Sequence, residues 1–321
     1  MKNREAIVAA GENPTAKPPR SAGQNVVFGM VLMTIGMLIL PIMDALAKAL
    51  STWYDVTPGQ ITFSRFLVQS ILLGVIVGSF MGWRKLIPTQ LAGNLARGAL
   101  IGLASLIFFT SVRYMPLADA IAVFFIEPLI LVVLSGLVLK EEVGWRRRIA
   151  VVIGFLGAML VVQPSYAVFG PVSLLPVLTA FLFATYLLLT RRLTSDDEPL
   201  TMQFMSGIGG TLTLAVVMVI GTVFGIADFA APDVPEFGIR WVLLFSIGAL
   251  AAFGHLLVTI AFRYAAASLL APFQYVEIIS ATLFGYLMFG DFPNALKWLG
   301  ISIIIGSGLY VFLRERKLAR S

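Results

Sequence analysis

The 321-residue chain is 59% apolar and only 12% charged, against roughly 25% charged residues in soluble domains, and is read as a protein that lives in lipid. Its net charge of +6 is held in short connectors between apolar runs, a distribution that sets membrane topology and argues against a nucleic-acid partner. With no cysteine and a single histidine, disulfides, thiolate chemistry and His/Cys metal clusters are excluded, and no cofactor or metal is expected.

Residues 1–25 are polar, carry Pro14, Pro18 and Pro19, and read as a disordered tail rather than a cleaved signal. Ten apolar runs follow, each about long enough to cross a ~30 Å hydrocarbon core. They are Val26–Leu50, Gln60–Phe80, Leu95–Val112, Leu117–Leu139, Arg148–Val162, Pro171–Thr190, Leu200–Phe224, Trp241–Phe262, Ser268–Phe289 and Ala295–Leu313. Lys and Arg concentrate in alternate connectors. One set holds the N-tail, Arg84, Lys85 and Arg97, Lys140 with Arg146–Arg148, Arg191 and Arg192, Arg263, and the basic tail 314–321; the other holds only Arg113, Arg240 and Lys297. The positive-inside rule then places both termini in the cytoplasm. Trp53, Trp83, Trp145, Trp241 and Trp298 fall near run ends as interfacial anchors, and Gly98, Gly102, Gly154 and Gly157 supply spacing for close helix packing. Gly207-x-Gly209-Gly210 lies inside an apolar run, which argues against a phosphate cradle and hence against direct ATP coupling.

The two halves, 26–164 and 165–313, repeat at an offset of 150 residues: Arg113-Tyr114 matches Arg263-Tyr264, Glu127 matches Glu277, and Glu141 matches Asp291. Five crossings per unit is an odd number, so the second unit is inverted relative to the first. Inverted repeats surround a central site that opens alternately to either face. At 1.5 Å per residue Glu127 and Glu277 approach the midplane from opposite sides, each roughly 14–15 Å deep.

A charged side chain at that depth costs about 2.5–3.5 kcal/mol unless it finds a partner or a wet cavity. Glu127 and Glu277 are therefore the leading candidates for binding a polar substrate or a coupling proton. Pro128 and Pro272 disrupt the neighbouring helix, as at transport sites. Asp44, Lys48 and Arg65 form a second cluster, in which an Asp44–Lys48 or Asp44–Arg65 bridge is feasible and Arg65 is the candidate for an anionic substrate. Asp119, after Pro116, is a helix cap, a partner of Arg113 or a gate residue. His255 is a core histidine or a proton relay. Phe108, Phe109, Phe124, Phe125, Phe273 and Tyr275 are packing residues or a stacking wall for a flat ligand.

The sequence Arg113-Tyr114-Met115-Pro116-Leu117-Ala118-Asp119-Ala120, then Phe125-Ile126-Glu127-Pro128 and Leu139-Lys140-Glu141-Glu142, resembles the EamA family of the drug/metabolite transporter superfamily. Phe63-Ser64-Arg65-Phe66 and the Arg263-to-Asp291 segment resemble it as well, and the match spans Phe28–Leu313. Ile278 departs from the pattern, standing where the first repeat has Pro128. The resemblance implies an all-α bundle of ten transmembrane helices as two inverted five-helix repeats, with a central cavity lined by the first four helices of each half and helices five and ten peripheral. It also implies carriage of amino acids, S-adenosylmethionine, riboflavin, other metabolites or drugs. Asp44-Ala45-Leu46-Ala47-Lys48 with Gln60 and Arg65 looks most like bacterial members assigned to metabolite uptake, riboflavin among them.

The expectation is a secondary transporter of the bacterial inner membrane working by alternating access. Its substrate is a small organic metabolite, its coupling ion a candidate proton, its oligomeric state monomer or homodimer, and its other contacts membrane lipids. The competing readings are an exporter of amino acids or drugs, an S-adenosylmethionine carrier, and a passive channel. An enzyme is not expected, since no nucleophile–base pair is found.

Overall fold

A computed structural model describes residues 22–138, 145–194, 196–230, 238–265, 270, 273, 274 and 276–318. The described residues form eleven α-helices. In the first half these are α1 (Ala22–Trp53), α2 (Pro58–Phe80), α3 (Leu91–Tyr114), α4 (Leu117–Phe124), α5 (Glu127–Val138) and α6 (Trp145–Phe169). In the second they are α7 (Leu175–Leu193), α8 (Pro199–Val223), α9 (Ile239–Tyr264), α10 (Glu277–Phe289) and α11 (Ala295–Leu318). Seven spans among the described residues are long and apolar enough to cross a membrane, α4 and α5 counting together as Leu117–Val138; Glu277–Phe289 and Ala295–Ser307 are shorter apolar helices. The chain is thus a multi-pass membrane protein, with seven spans meeting that test where ten are expected.

Local chemistry sets the helix ends. Thr57 is extended and its hydroxyl accepts the Gln60 N–H at 3.3 Å, with Pro58 pre-set for the first helical position of α2. At its other end α10 stops on Gly290, whose left-handed φ of 71° favours a residue without Cβ; its N–H donates to the Tyr286 carbonyl at 2.9 Å and the Asp291 N–H to the Gly285 carbonyl at 3.2 Å.

The fourth run, read as one span disrupted near Pro128, is broken at Phe125-Ile126, between α4 and α5. Pro128 has no N–H to give the Phe124 carbonyl four residues back, so the helical ladder lapses there. Glu127 consequently opens α5; Glu277 takes the equivalent first position of α10, where Ile278 replaces the proline. Pro272 and Tyr275 lie outside the described residues, as do the Leu139–Glu142 motif and residues 1–21 of the N-tail; its last four residues, 22–25, open α1 instead of belonging to a disordered segment.

Packing between the halves dominates packing within them. Helix α1 packs chiefly on α9, α3 on α8 and α7, α2 on α8 and α9, and α6 on α11. Small residues permit the approach: a Cβ on Gly98 would sit 2.6 Å from the Ser206 carbonyl and 2.8 Å from the Gly209 Cα, joining α3 to α8, and one on Gly157 would sit 2.9 Å from the Gly300 carbonyl.

The connectors gather at two ends. At one end the Gly59 N–H donates to the Asp228 carbonyl, the Tyr114 hydroxyl to Asp228 Oδ2, and Arg113 pairs with Asp55 at 2.6 Å and Asp228 at 3.7 Å. At the other, Asp197 accepts from the Thr89 and Gln90 amides and from Asn94, Thr201 donates to the Lys85 carbonyl, and Arg263 binds Glu198 and the Asp197 carbonyl. The end of α3 therefore lies opposite the end of α9.

Candidate functional site

A cavity sits where α1, α2, α3, α4, α7, α9 and α10 converge, lined by Leu40, Met43, Asp44, Arg65, Ile101, Ala104, Ser105, Phe108, Phe109, Phe124, Thr179, Phe183, His255 and Glu277. Both halves contribute. The space open to water centres is about 50 Å³, enough for a few waters at ~10–15 Å³ each.

Arg65 is its cationic centre. The side chain is 2% exposed, donates through Nη1 to Ser105 Oγ, and brings Nη2 within 2.6 Å of His255 Nε2. A guanidinium only donates, so Nε2 accepts and the ring proton resides on Nδ1. Neither that Nδ1–H nor the Arg65 Nε–H has a partner. Two buried donors are left unmet at the cavity wall, a costly arrangement that a ligand acceptor relieves. The aromatic lining surrounds them: Phe124 meets Phe108 at 5.9 Å and Phe183 at 5.4 Å between centroids, and the guanidinium lies 4.7 Å from the Phe66 ring and 5.9 Å from Phe109.

The other expected residues divide. Asp44 and Glu277, 5% and 7% exposed, line the cavity with Arg65 and His255. Glu127 is buried outside the lining with Oε1 unpartnered, within electrostatic reach of Glu277. Lys48 does not bridge to Asp44: its Nζ donates to Asp291 Oδ2 at 2.7 Å and to the Met115 carbonyl at 3.3 Å, because the turn after α10 closes over the end of α1. Asp119 pairs with Lys297 and not with Arg113, which is taken by Asp55 and Asp228. Phe125 is buried in the core outside the lining, while Phe108, Phe109 and Phe124 belong to the wall. Among the described residues no group of three or more His, Asp or Glu is placed to hold a metal.

Arg97 is the largest departure. Its position at the start of the third run reads as a connector charge, yet it is fully buried. Nε donates to Thr190 Oγ1 at 2.7 Å, Nη1 to the Met202 carbonyl at 2.9 Å, and Nη2 to Gln203 Oε1 at 2.9 Å, Tyr186 OH at 3.2 Å and Thr259 Oγ1 at 3.3 Å. It ties α3 to α7, α8 and α9. Tyr186 in turn sets its ring edge-on to His255 at 6.2 Å, linking this cluster to the cavity. The available signal was weak: Gln203 interrupts an apolar run, and Thr259 follows His255 by one helical turn.

An apolar multi-pass bundle enclosing a charged, aromatic-walled cavity built from both halves has the architecture of a membrane transporter. The chain belongs to the EamA-like transporter family, whose model matches it twice, over residues 27–163 and 171–313. It is 30% identical over 291 residues to a riboflavin transporter of Vibrio cholerae, covering 88% of this chain and 94% of that protein. It is 25% identical to an S-adenosylmethionine uptake transporter of Rickettsia prowazekii, covering 90% and 94%. A solved crystal structure shares the fold at a TM-score of 0.63 with 17% identity, covering 92% of this chain and 99% of that one. The chain is a transporter and not an enzyme.

Proposed function

We propose that the protein carries riboflavin, or a metabolite like it, into the cytoplasm across the bacterial inner membrane by alternating access. The observation that carries this reading is the pair of unmet donors, Arg65 Nε–H and His255 Nδ1–H, set among Phe108, Phe109, Phe124 and Phe183. A flat heteroaromatic ring with carbonyl and ring-nitrogen acceptors satisfies the donors and stacks on the wall. The similarity to a riboflavin transporter supports the same substrate.

Ten spans arranged as two inverted units, 26–164 and 165–313, account for the remaining geometry. Connectors 1–2 and 3–4 of the first half meet Asp228 at one end, while their counterparts around Asp197, Glu198 and Arg263 lie at the other, which supports inversion. The positive-inside rule puts both termini, and the Asp197 end, in the cytoplasm. A cavity with room for only a few waters must widen to admit a metabolite, and in a two-fold pair of halves the ends take turns in opening. Glu277 at the cavity and Glu127 behind it are the candidate proton sites.

A second reading, S-adenosylmethionine, is favoured by one feature: Asp44 and Glu277 beside phenylalanine faces suit a sulfonium cation. Counterflow in proteoliposomes separates the two. Saturable exchange of labelled riboflavin, reduced at least tenfold by Arg65→Ala, is the expected result. Exchange of S-adenosylmethionine without riboflavin overturns the assignment, and flux that does not saturate indicates a passive channel. Riboflavin uptake that ignores both an imposed pH gradient and Glu127→Gln rules out the proton-coupled form.

A further inference from the structure

Outside the transport cavity a groove lies between the peripheral helices α6 and α11. The space open to water centres is about 530 Å³, the size of a ligand site and too large for one side chain. Ala150 and Gly306 form its floor, Ile153 and Ile303 its walls, and Trp145 and Tyr310 its rim. Gly306 leaves it deep, since a Cβ there meets no atom within 4 Å. The rim residues are amphipathic aromatics, 64% and 51% exposed, of the type that sits at headgroup level.

The groove lies at a strongly basic end of the fold. Arg146, Arg147 and Arg148 occupy the first turn of α6, and Arg314, Arg316 and Lys317 the last turns of α11; the acids of these two stretches of sequence, Glu141, Glu142 and Glu315, are fewer, so basic residues are in excess. An apolar trough between two helices whose sequences turn basic at the same end matches a ligand with an acyl chain and an anionic headgroup. A second copy of this chain matches it poorly, because a two-fold pair in one membrane sets equivalent ends side by side and doubles the positive charge.

We propose that the α6–α11 groove binds one anionic membrane phospholipid, its acyl chain lying over Gly306 and its phosphate at the basic helix ends. No lining residue is shared with the transport cavity, so the site is independent of the substrate carried.

The test is native mass spectrometry and thermal melting of the purified full chain, titrated with cardiolipin, phosphatidylglycerol or phosphatidylcholine. One equivalent of anionic lipid should be retained and raise the melting temperature by several degrees, with phosphatidylcholine at least tenfold weaker. Gly306→Phe, which fills open space, should lose that lipid at least tenfold while keeping its lipid-free melting temperature and its substrate counterflow. Replacing Arg146, Arg147 and Arg148 together by Gln should abolish the preference for anionic over zwitterionic lipid, and reads the site should Gly306→Phe fold poorly. Equal retention of phosphatidylcholine, lipid binding indifferent to both variants, or a lipid-free dimer broken by Gly306→Phe would each overturn the proposal.

Discussion

Arg65 and Arg97 are both buried guanidiniums, and neither has a carboxylate within ion-pair distance among the described residues. Their hydrogen bonding separates their roles. All three Arg97 nitrogens meet neutral acceptors on three other helices, whereas Arg65 holds one N–H in reserve at the cavity. Arg97→Met should therefore cost about 3–5 kcal/mol by stranding Thr190, Gln203 and Thr259, seen as a lower melting temperature with substrate KM little changed in the folded fraction. Arg65→Lys keeps the charge but not the fork, so it should raise KM at least tenfold with only a small fall in melting temperature. Asp44, Arg65, Glu277 and His255 were legible in the sequence because each interrupts an apolar run. Arg97 was not, since a charge near the start of a run looks like a connector. Lys48 was misleading for a different reason: the i,i+4 spacing offered Asp44, while its true partner, Asp291, is 243 positions away and follows only from the tertiary fold.

Pro128 announced an interruption of the fourth run, but only the coordinates show that it splits the span into α4 and α5 with Glu127 at the first turn. An acidic residue there faces the positive end of the helix dipole. Pro128→Ala restores the missing donor and favours a continuous helix by up to about 3 kcal/mol. Transport should fall severalfold while the melting temperature holds or rises, as measured by counterflow and thermal melting of the same preparation. The glycine spacing in the third run was equally legible as close packing, whereas its partner α8 was not, because small residues state proximity without naming a neighbour. Gly98→Leu should lower stability by about 1–3 kcal/mol or more, since even a Cβ there collides with the Ser206 carbonyl.

Across the whole molecule, the ion pairs Lys48–Asp291 and Asp119–Lys297 join the halves beside the end that carries Arg113 and Asp228. If that end parts during transport, Lys48→Asp should slow exchange severalfold and the added change Asp291→Lys should restore much of it, a rescue read directly from counterflow rates. The chain contains no cysteine, so a Cys pair at Asp119 and Lys297, joined by a short bismaleimide with a disulfide in its spacer, reports on this end alone and should arrest exchange until a reductant cleaves the spacer. The membrane class and the internal repeat were visible in the sequence because hydropathy and repetition are one-dimensional signals. How the halves meet was not visible. Helices α1, α2 and α3 find their main neighbours in α7, α8 and α9, and α6 finds its own in α11, so neither half possesses a core of its own. A chain severed in the 3₁₀ turn Gly170–Leu174 should yield two fragments that are degraded when made singly and reassemble into a working carrier when made together. The same dependence makes each half the other's scaffold: a single half, on its own in a membrane, would have to find a second copy to cover the faces that its partner covers here.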